Sequence, residues 1–86
     1  MIVFIDDYTD IEGTVTEQHF WESDGAGRLT MEDGASVAYN LVVLSTDIYG
    51  ATPPAVDAAI VVSGKGIVHP ITNVVHVEVS SLADAP

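Results

Sequence analysis

The chain has 86 residues, room for a single domain, and 48% of them are hydrophobic, which excludes a disordered protein. It contains no cysteine, which excludes disulfides, thiolate catalysis and zinc–thiolate sites. Thirteen acids face two bases, Arg28 and Lys65, and the resulting net charge of −11 disfavours nucleic acid as a partner.

The first half of the chain alternates polar and apolar residues, a pattern typical of strands with one buried face. Residues 2–5 predict a short apolar strand that the acidic stretch DDYTD stops, and GTVTEQHFW (13–21) predicts a second strand. After the turn residues ESDGAG, the stretch RLTMEDGASVAYNLVVL predicts a hairpin with its turn at Asp33 and Gly34. The core side of this hairpin comprises Leu29, Met31, Val37, Tyr39 and Leu41.

The second half of the chain begins with a proline-rich loop and continues with short strands. Pro53 and Pro54 disfavour a helix before them, and IVVSG and GIVH each predict a strand. In the last strand, NVVHVEVSS, alternate valines (Val75, Val77 and Val79) face inward, and His76, Glu78 and Ser80 face outward. A frayed tail is expected from about residue 82. The total is six to seven short strands in one all-β domain spanning residues 1–86, a small barrel or sandwich.

The stretch IVFIDDYTD, an apolar strand that ends in paired acids, resembles the first catalytic strand of retroviral-type integrase cores. That resemblance implies that Asp6 supplies the first carboxylate of a two-metal site. However, the chain is too short for the ribonuclease-H-like α/β core of those enzymes, and no amphipathic helix follows the strand. We therefore expect no enzyme activity, no metal and no cofactor, and acids that stay in solvent.

The closing segment GIVHPITNVVHVEV is similar to the end of Sm-like and SH3-like barrels, where a short turn precedes the last strand. YNLVVLSTD also resembles the first Sm motif. These resemblances favour an SH3/Sm-like barrel over a sandwich. Sm-like proteins bind RNA through basic residues, and Lys65 is the single lysine of this chain, so RNA binding is not expected.

The three histidines do not predict a metal site. His69 and His76 lie seven residues apart, His19 lies elsewhere, and no cysteine accompanies them. This spacing favours surface or partly buried histidines over zinc ligands. Lys65 lies in a GKG sequence that lacks the surroundings of a phosphate-binding loop.

Four aromatic residues are candidates for an interface with another chain. Phe20 and Trp21 are adjacent on a predicted strand, so their side chains face opposite sides and only one of them can enter the core. The other can anchor a contact between subunits, and Tyr39 and Tyr49 are further candidates. A sheet covered on both sides by its own loops is the alternative.

The thirteen acids are scattered along the chain rather than grouped in blocks. Scattered acids favour a solvated surface adapted to high salt, and a mimic of nucleic acid that occupies a basic groove is the alternative. No apolar run approaches the roughly 20 residues of a membrane helix, and no basic segment precedes an apolar one. We therefore expect a virion or cytoplasmic location, with neither a membrane partner nor a cleaved signal peptide.

These observations together predict a non-enzymatic structural or assembly subunit whose partners are proteins. A homo-oligomer or larger assembly is expected, because a short fold without disulfides gains stability from neighbours. The leading hypothesis is a virion component, such as a capsid decoration or head–tail protein, of a virus that infects a halophilic or high-GC host. The alternatives are a cytoplasmic small-barrel binding module of a halophile and an acidic inhibitor that mimics nucleic acid.

Overall fold

A computed structural model describes residues 6–23, 25–44 and 48–86. In these ranges five strands form a closed barrel, and no helix is present. The strands are β1 (Asp6–Trp21), β2 (Gly27–Asp33), β3 (Ala38–Val43), β4 (Ala59–Val68) and β5 (Val75–Asp84). The predicted all-β small barrel is therefore confirmed. The described ranges contain no helix with the length and apolar character needed to cross a membrane.

The strands follow the order β1-β2-β3-β5-β4 around the barrel. The 16-residue strand β1 pairs with β4 along its first part and with β2 along its second, and bulges after Tyr8, Val15 and Gln18 let it bend between them. β3 runs parallel to β5, and all other pairs are antiparallel. This order is shared with the OB-fold, a five-stranded Greek-key barrel. The SH3/Sm-like type is not confirmed, because those barrels are antiparallel meanders.

The structure describes five strands where the sequence predicts six or seven. IVVSG and GIVH belong to one strand, β4, which pairs with β5 along its whole length with one register shift between Ser63 and Gly64. DDYTD forms the first five residues of β1, where Asp10 accommodates a bulge with φ 51°. The predicted strand at residues 2–5 lies outside the described residues. The tail is ordered further than expected, because Leu82 is 5% exposed in the core and β5 continues to Asp84.

The barrel interior is filled by side chains at alternate strand positions, as the sequence pattern predicts. Leu29, Met31 and Leu41 of the β2–β3 hairpin are fully buried, and the inward valines of β5 are buried as well. The core residues are Val15, Leu29, Met31, Tyr39, Leu41, Val43, Ile60, Val62, Val75, Val77, Val79 and Leu82. Within the described residues no charged or polar side chain other than the Tyr39 hydroxyl group enters this core.

The β2–β3 turn is held by Asp33, which anchors both the loop and a core tyrosine. Asp33 Oδ1 accepts hydrogen bonds from the backbone N–H groups of Ala35 (2.8 Å) and Val37 (3.0 Å). Its Oδ2 accepts the Tyr39 hydroxyl at 2.9 Å. The bond from Val37, followed by those from Tyr39 and Ala35, holds the pKa of Asp33 below its ordinary value, although partial burial opposes this. The left-handed residue of the turn is Ser36, with φ 63°, rather than Gly34.

Tyr39 is expected to make the fold sensitive to alkali. Burial, followed by the hydrogen bond to Asp33 and the nearby charge, raises the pKa of Tyr39 to about 12 from an ordinary value of 10. Because the pKa is higher in the folded state, the stability contributed by Tyr39 is fully present below pH 10 and is lost as the pH rises towards 12. Urea denaturation at pH 8, 10 and 11.5 should show a falling midpoint.

The variant Tyr39→Phe should lose about 1 kcal/mol at pH 8, the value of one hydrogen bond, and should show a shallower decline above pH 10. Tyr49→Phe is the matched control. Its hydroxyl donates to Asp84 on the surface, and its pKa is raised first by this hydrogen bond and then by burial. If the Tyr39 and Tyr49 variants show the same alkaline slope as the wild type, Tyr39 does not control this transition.

Candidate binding face on strands β1, β2 and β3

A line of polar side chains, joined at its centre by hydrogen bonds, crosses the outside of the barrel from β1 to the β4–β5 loop. We call it the histidine track: Glu17, His19, Thr30, Asn40, His76 and His69. Its centre forms because Thr30 lies opposite Asn40, and Asn40 lies opposite His76, in the strand register. His19 Nε2 lies 2.6 Å from Thr30 Oγ1, which lies 3.2 Å from Asn40 Oδ1. Asn40 Nδ2 in turn lies 3.5 Å from His76 Nδ1.

The track ends at a charged group on one side and at a second imidazole on the other. Glu17 Oε2 lies 3.8 Å from His19 Nε2. At the far end the rings of His69 and His76 have their centroids 6.1 Å apart. His69 Nδ1 accepts the backbone N–H groups of Ile71 (3.2 Å) and Thr72 (3.3 Å), which fixes the ring against the β4–β5 loop.

The track unites all three histidines of the chain, which the sequence predicts to be surface or partly buried residues rather than zinc ligands. The alternation of the strands does predict that Thr30, Asn40 and His76 face outward. It does not predict that β5 is the neighbour of β3, and that neighbour relation is what joins His76 to Asn40. The sequence alone, without the strand order, therefore does not predict the track.

Among the described residues, the acids at the start of β1 lie apart from other possible metal ligands. Asp6 and Asp7 occupy successive strand positions, so their side chains face opposite sides and cannot converge on one cation. Asp7 Oδ1 instead accepts a hydrogen bond from Lys65 Nζ at 2.9 Å. In residues 6–23, 25–44 and 48–86 no three His, Asp or Glu side chains are grouped so that they could hold a metal ion.

We predict that Asp6→Asn combined with Asp7→Asn changes no hydrolytic activity, because we expect the wild type to have none. The measurement is cleavage of single- and double-stranded DNA and RNA in Mg²⁺ or Mn²⁺. Asp84→Asn, remote in sequence from the motif, is a control for nonspecific effects of charge removal. Metal-dependent cleavage by the wild type that disappears in the double variant, and not in the control, would contradict the prediction.

An open recess of about 540 Å³ lies on the outside of the barrel around Lys65. Asp7, Lys65 and Glu78 are register partners across β1, β4 and β5, so the lysine lies between two acids. The hydroxyl groups of Thr9, Ser63 and Ser80 line the rest of the recess. Because the two carboxylates offset the lysine charge, the recess carries no excess positive charge for a phosphate.

A second feature of this face is a cluster of apolar side chains around Arg28. We call it the Phe20 patch: Phe20, Arg28, Val42 and Leu44. Phe20 lies opposite Arg28, and Arg28 lies opposite Val42, in the strand register. Phe20 is 50% exposed and Leu44 is 62% exposed. Among the described residues Arg28 takes part in no ion pair, whereas Lys65 is paired with Asp7.

The structure distributes the four aromatic interface candidates between surface and interior. Phe20 faces outward and Trp21 faces inward, as expected for adjacent strand residues. The Trp21 indole donates to the Gly50 carbonyl at 2.9 Å and makes an edge-to-face contact with Tyr49. Tyr39 is 6% exposed and belongs to the core. Of the four, Phe20 is therefore the one whose ring is free to contact another molecule.

The chain matches no protein-family model, no curated protein and no solved structure. Any functional proposal therefore depends on the exposed side chains and their geometry.

Proposed function

We propose that this protein is a non-enzymatic assembly subunit that binds a second copy of the same chain through the Phe20 patch. The observation that carries the proposal is the position of Arg28. In the described residues it is a base without an ion pair, in a chain with thirteen acids, and its register partners are the exposed Phe20 and the half-buried Val42. An aromatic ring beside an arginine is the composition enriched at the centres of protein interfaces.

The exposed apolar groups of the patch support a protein contact. Phe20 and Leu44 are large side chains that the fold leaves in water, while Trp21 one residue away is used by the barrel itself. Burying each such side chain on association is worth roughly 1.5–3 kcal/mol. That gain is available only if another surface covers the patch.

Charge complementarity supports a second copy as the partner. Any surface of a neighbouring copy is rich in carboxylates, since the chain carries thirteen acids and two bases. The guanidinium group of Arg28 can pair with a carboxylate in a bidentate geometry. Association of two chains of charge −11 is opposed at low ionic strength and is favoured when salt screens the long-range repulsion.

The test is sedimentation velocity in 1 M NaCl over a range of protein concentrations, for the wild type and two variants. Phe20→Ser removes the exposed ring of the patch. Ile71→Ser is the matched control, because Ile71 is 84% exposed but lies in the β4–β5 loop. We expect the wild type to self-associate, Phe20→Ser to weaken association at least about thirtyfold, and Ile71→Ser to leave it unchanged.

Circular dichroism serves to check that the variants fold, and we expect them to do so because both side chains are exposed. A wild type that remains monomeric at millimolar concentration would contradict self-assembly. Equal effects of the two serine variants would contradict the location of the interface. A monomer that instead binds a basic protein tightly would favour the acidic mimic.

We further propose that the assembly is a virion component, such as a capsid decoration or head–tail protein, of a virus whose host is halophilic or of high GC content. The scarcity of bases and the scattered acids support the high-salt setting. The short, cysteine-free chain supports a subunit stabilised by its neighbours. Mass spectrometry of purified particles would test this, and genes for capsid, portal or terminase beside its own would agree with it.

The histidine track favours one further function, that of a small-barrel binding module. In barrels of this strand order, ligands are often bound on the face of strands 2 and 3, and Thr30 and Asn40 occupy that face here. This argument is an analogy between folds and does not name a ligand. A monomer whose Thr30 and Asn40 resonances respond to an added ligand would support the module over the assembly subunit.

A further inference from the structure

The histidine track has a defined direction of proton donation. The hydroxyl proton of Thr30 is donated to Asn40 Oδ1, so Thr30 Oγ1 must accept its other bond from His19 Nε2–H. The hydrogen bond from Thr30 fixes which side of the Asn40 amide carries Oδ1. The Nδ2 on the other side then donates to His76 Nδ1. A neutral imidazole that accepts at Nδ1 carries its proton at Nε2. Each group thus accepts from one neighbour and donates to the next, and the last donor is His76 Nε2–H.

The neighbouring histidine presents the same kind of donor. His69 Nδ1 accepts two backbone N–H groups of its own loop, so its proton also lies at Nε2. The two rings have their centroids 6.1 Å apart. A carboxylate has two acceptor oxygens, so one such group can accept a hydrogen bond from each of two neighbouring N–H donors.

We propose that His69 and His76 form a two-donor site that binds an oxyanion, specifically a carboxylate. The carboxylate comes either from a free anion or from a second copy of this acidic chain. Successive hydrogen bonds along the track polarise one another and strengthen the terminal donor, which favours a charged acceptor over a neutral one. Both rings are half-buried, so the site remains open to a ligand.

The same proton positions disfavour a transition metal at this pair. A metal ion at Nε2 requires the free electron pair of that atom and places the proton on Nδ1. In His69 that proton would point at the N–H groups of Ile71 and Thr72, and both bonds would be lost. No third His, Asp or Glu ligand joins the pair within the described residues.

Nearby acids determine the ionic strength at which the site can bind an anion. Glu78 is two positions beyond His76 on the outer side of β5, and Glu17 lies at the opposite end of the track. Their repulsion of an anion is long-range and is screened at high ionic strength, where the Debye length is about 3 Å at 1 M salt. The two direct hydrogen bonds are screened much less. Binding is therefore expected in molar salt.

The test is NMR of the three imidazole groups at pH 8 and 1 M total salt, with sodium acetate replacing sodium chloride. We expect the Nε2–H form for His19, His69 and His76, and saturable acetate shifts at His69 and His76 but not at His19. His76→Phe should weaken acetate binding at least about tenfold, the value of one hydrogen bond to a charged group. Phe20→Ser, which lies outside the track, is the control and should leave acetate binding unchanged.

Asn40→Val tests the positioning role of the track, because His76 then has no partner that fixes its proton at Nε2. We expect a mixture of the two tautomers at His76 and weaker acetate binding. A series of protein concentrations in sodium chloride, without acetate, identifies the source of the carboxylate. Shifts at His69 and His76 that grow with protein concentration indicate the carboxylate of a second copy.

The absence of a response to both acetate and protein concentration would overturn the proposal. So would an Nδ1–H form of either histidine in the free protein. A site at which Zn²⁺ shifts both rings while acetate does not would assign the pair to metal binding instead. Because Phe20 lies outside the site, the acetate result does not depend on whether the Phe20 patch mediates assembly.

Discussion

The thermal midpoint is expected to rise by roughly 10 °C or more when NaCl or KCl is increased from 0.01 M to 1 M. In a domain of this size, about 2 kcal/mol of added stability produces a shift of this order. In the described residues every acid is exposed except Asp33, which is half-buried. The lysine pair of Asp7 is the single Lys or Arg ion pair among them. The carboxylates therefore repel one another with little internal compensation.

The physical reason is the range of this repulsion relative to the size of the barrel. At 0.01 M salt the Debye length is about 30 Å, close to the longest extent of the barrel, 32 Å. Every carboxylate then interacts with every other, and unfolding separates them. At 1 M the Debye length is about 3 Å and most of the repulsion has gone. Gains above 1 M should follow the Hofmeister order, because they come from burial of apolar surface.

Acidification provides the control for the charge mechanism. Lowering the pH from 7 towards 5 removes negative charge, and should stabilise the protein at 0.01 M salt but have little effect at 1 M. The measurement is the midpoint by differential scanning calorimetry over a grid of salt and pH. A midpoint that stays flat from 0.05 M to 2 M salt would contradict the high-salt interpretation and would point to a specific basic partner.

Gly64→Ala is expected to cost about 3 kcal/mol or more, a large part of the roughly 4–13 kcal/mol available to a domain of this length. A methyl group at Gly64 would overlap the backbone carbonyl oxygen of Glu78 on β5, and it would lie 3.0 Å from Val77 Cγ1. The backbone of β5 cannot move away without breaking its pairing with β4. The glycines of GKG thus permit close approach of two strands.

Gly34→Ala is the matched control. No atom lies within 4 Å of the added carbon at this turn position, so a change below about 0.5 kcal/mol is expected. Gly66→Ala should resemble Gly64→Ala, because its added carbon would lie 2.7 Å from the His76 carbonyl oxygen. Urea denaturation in 1 M NaCl measures the free energy of unfolding of all three variants. A Gly64 variant as stable as the Gly34 variant would show that the barrel adjusts more easily than its packing indicates.

The sequence by itself determined the features that depend on neighbouring positions along one strand. Alternation assigned Leu29, Met31 and Leu41 to the core and His76 and Glu78 to the surface, and each assignment is confirmed. The adjacency of Phe20 and Trp21 required one outward ring. These conclusions hold because successive side chains of a strand point to opposite faces whatever the strand pairs with.

Only the tertiary structure decided which strands are neighbours, and the candidate site depends on that choice. Local pattern gives no register between distant strands, because pairing of β3 with β5 is settled by closure of the whole barrel around one core. Closure also joins two predicted strands into the single strand β4. Gly64 and Gly66 carry no side chain, so β4 can lie close to the backbone of β5. His19, Asn40 and His76 are far apart in the sequence, and the barrel aligns them because each lies at an outward position on paired strands.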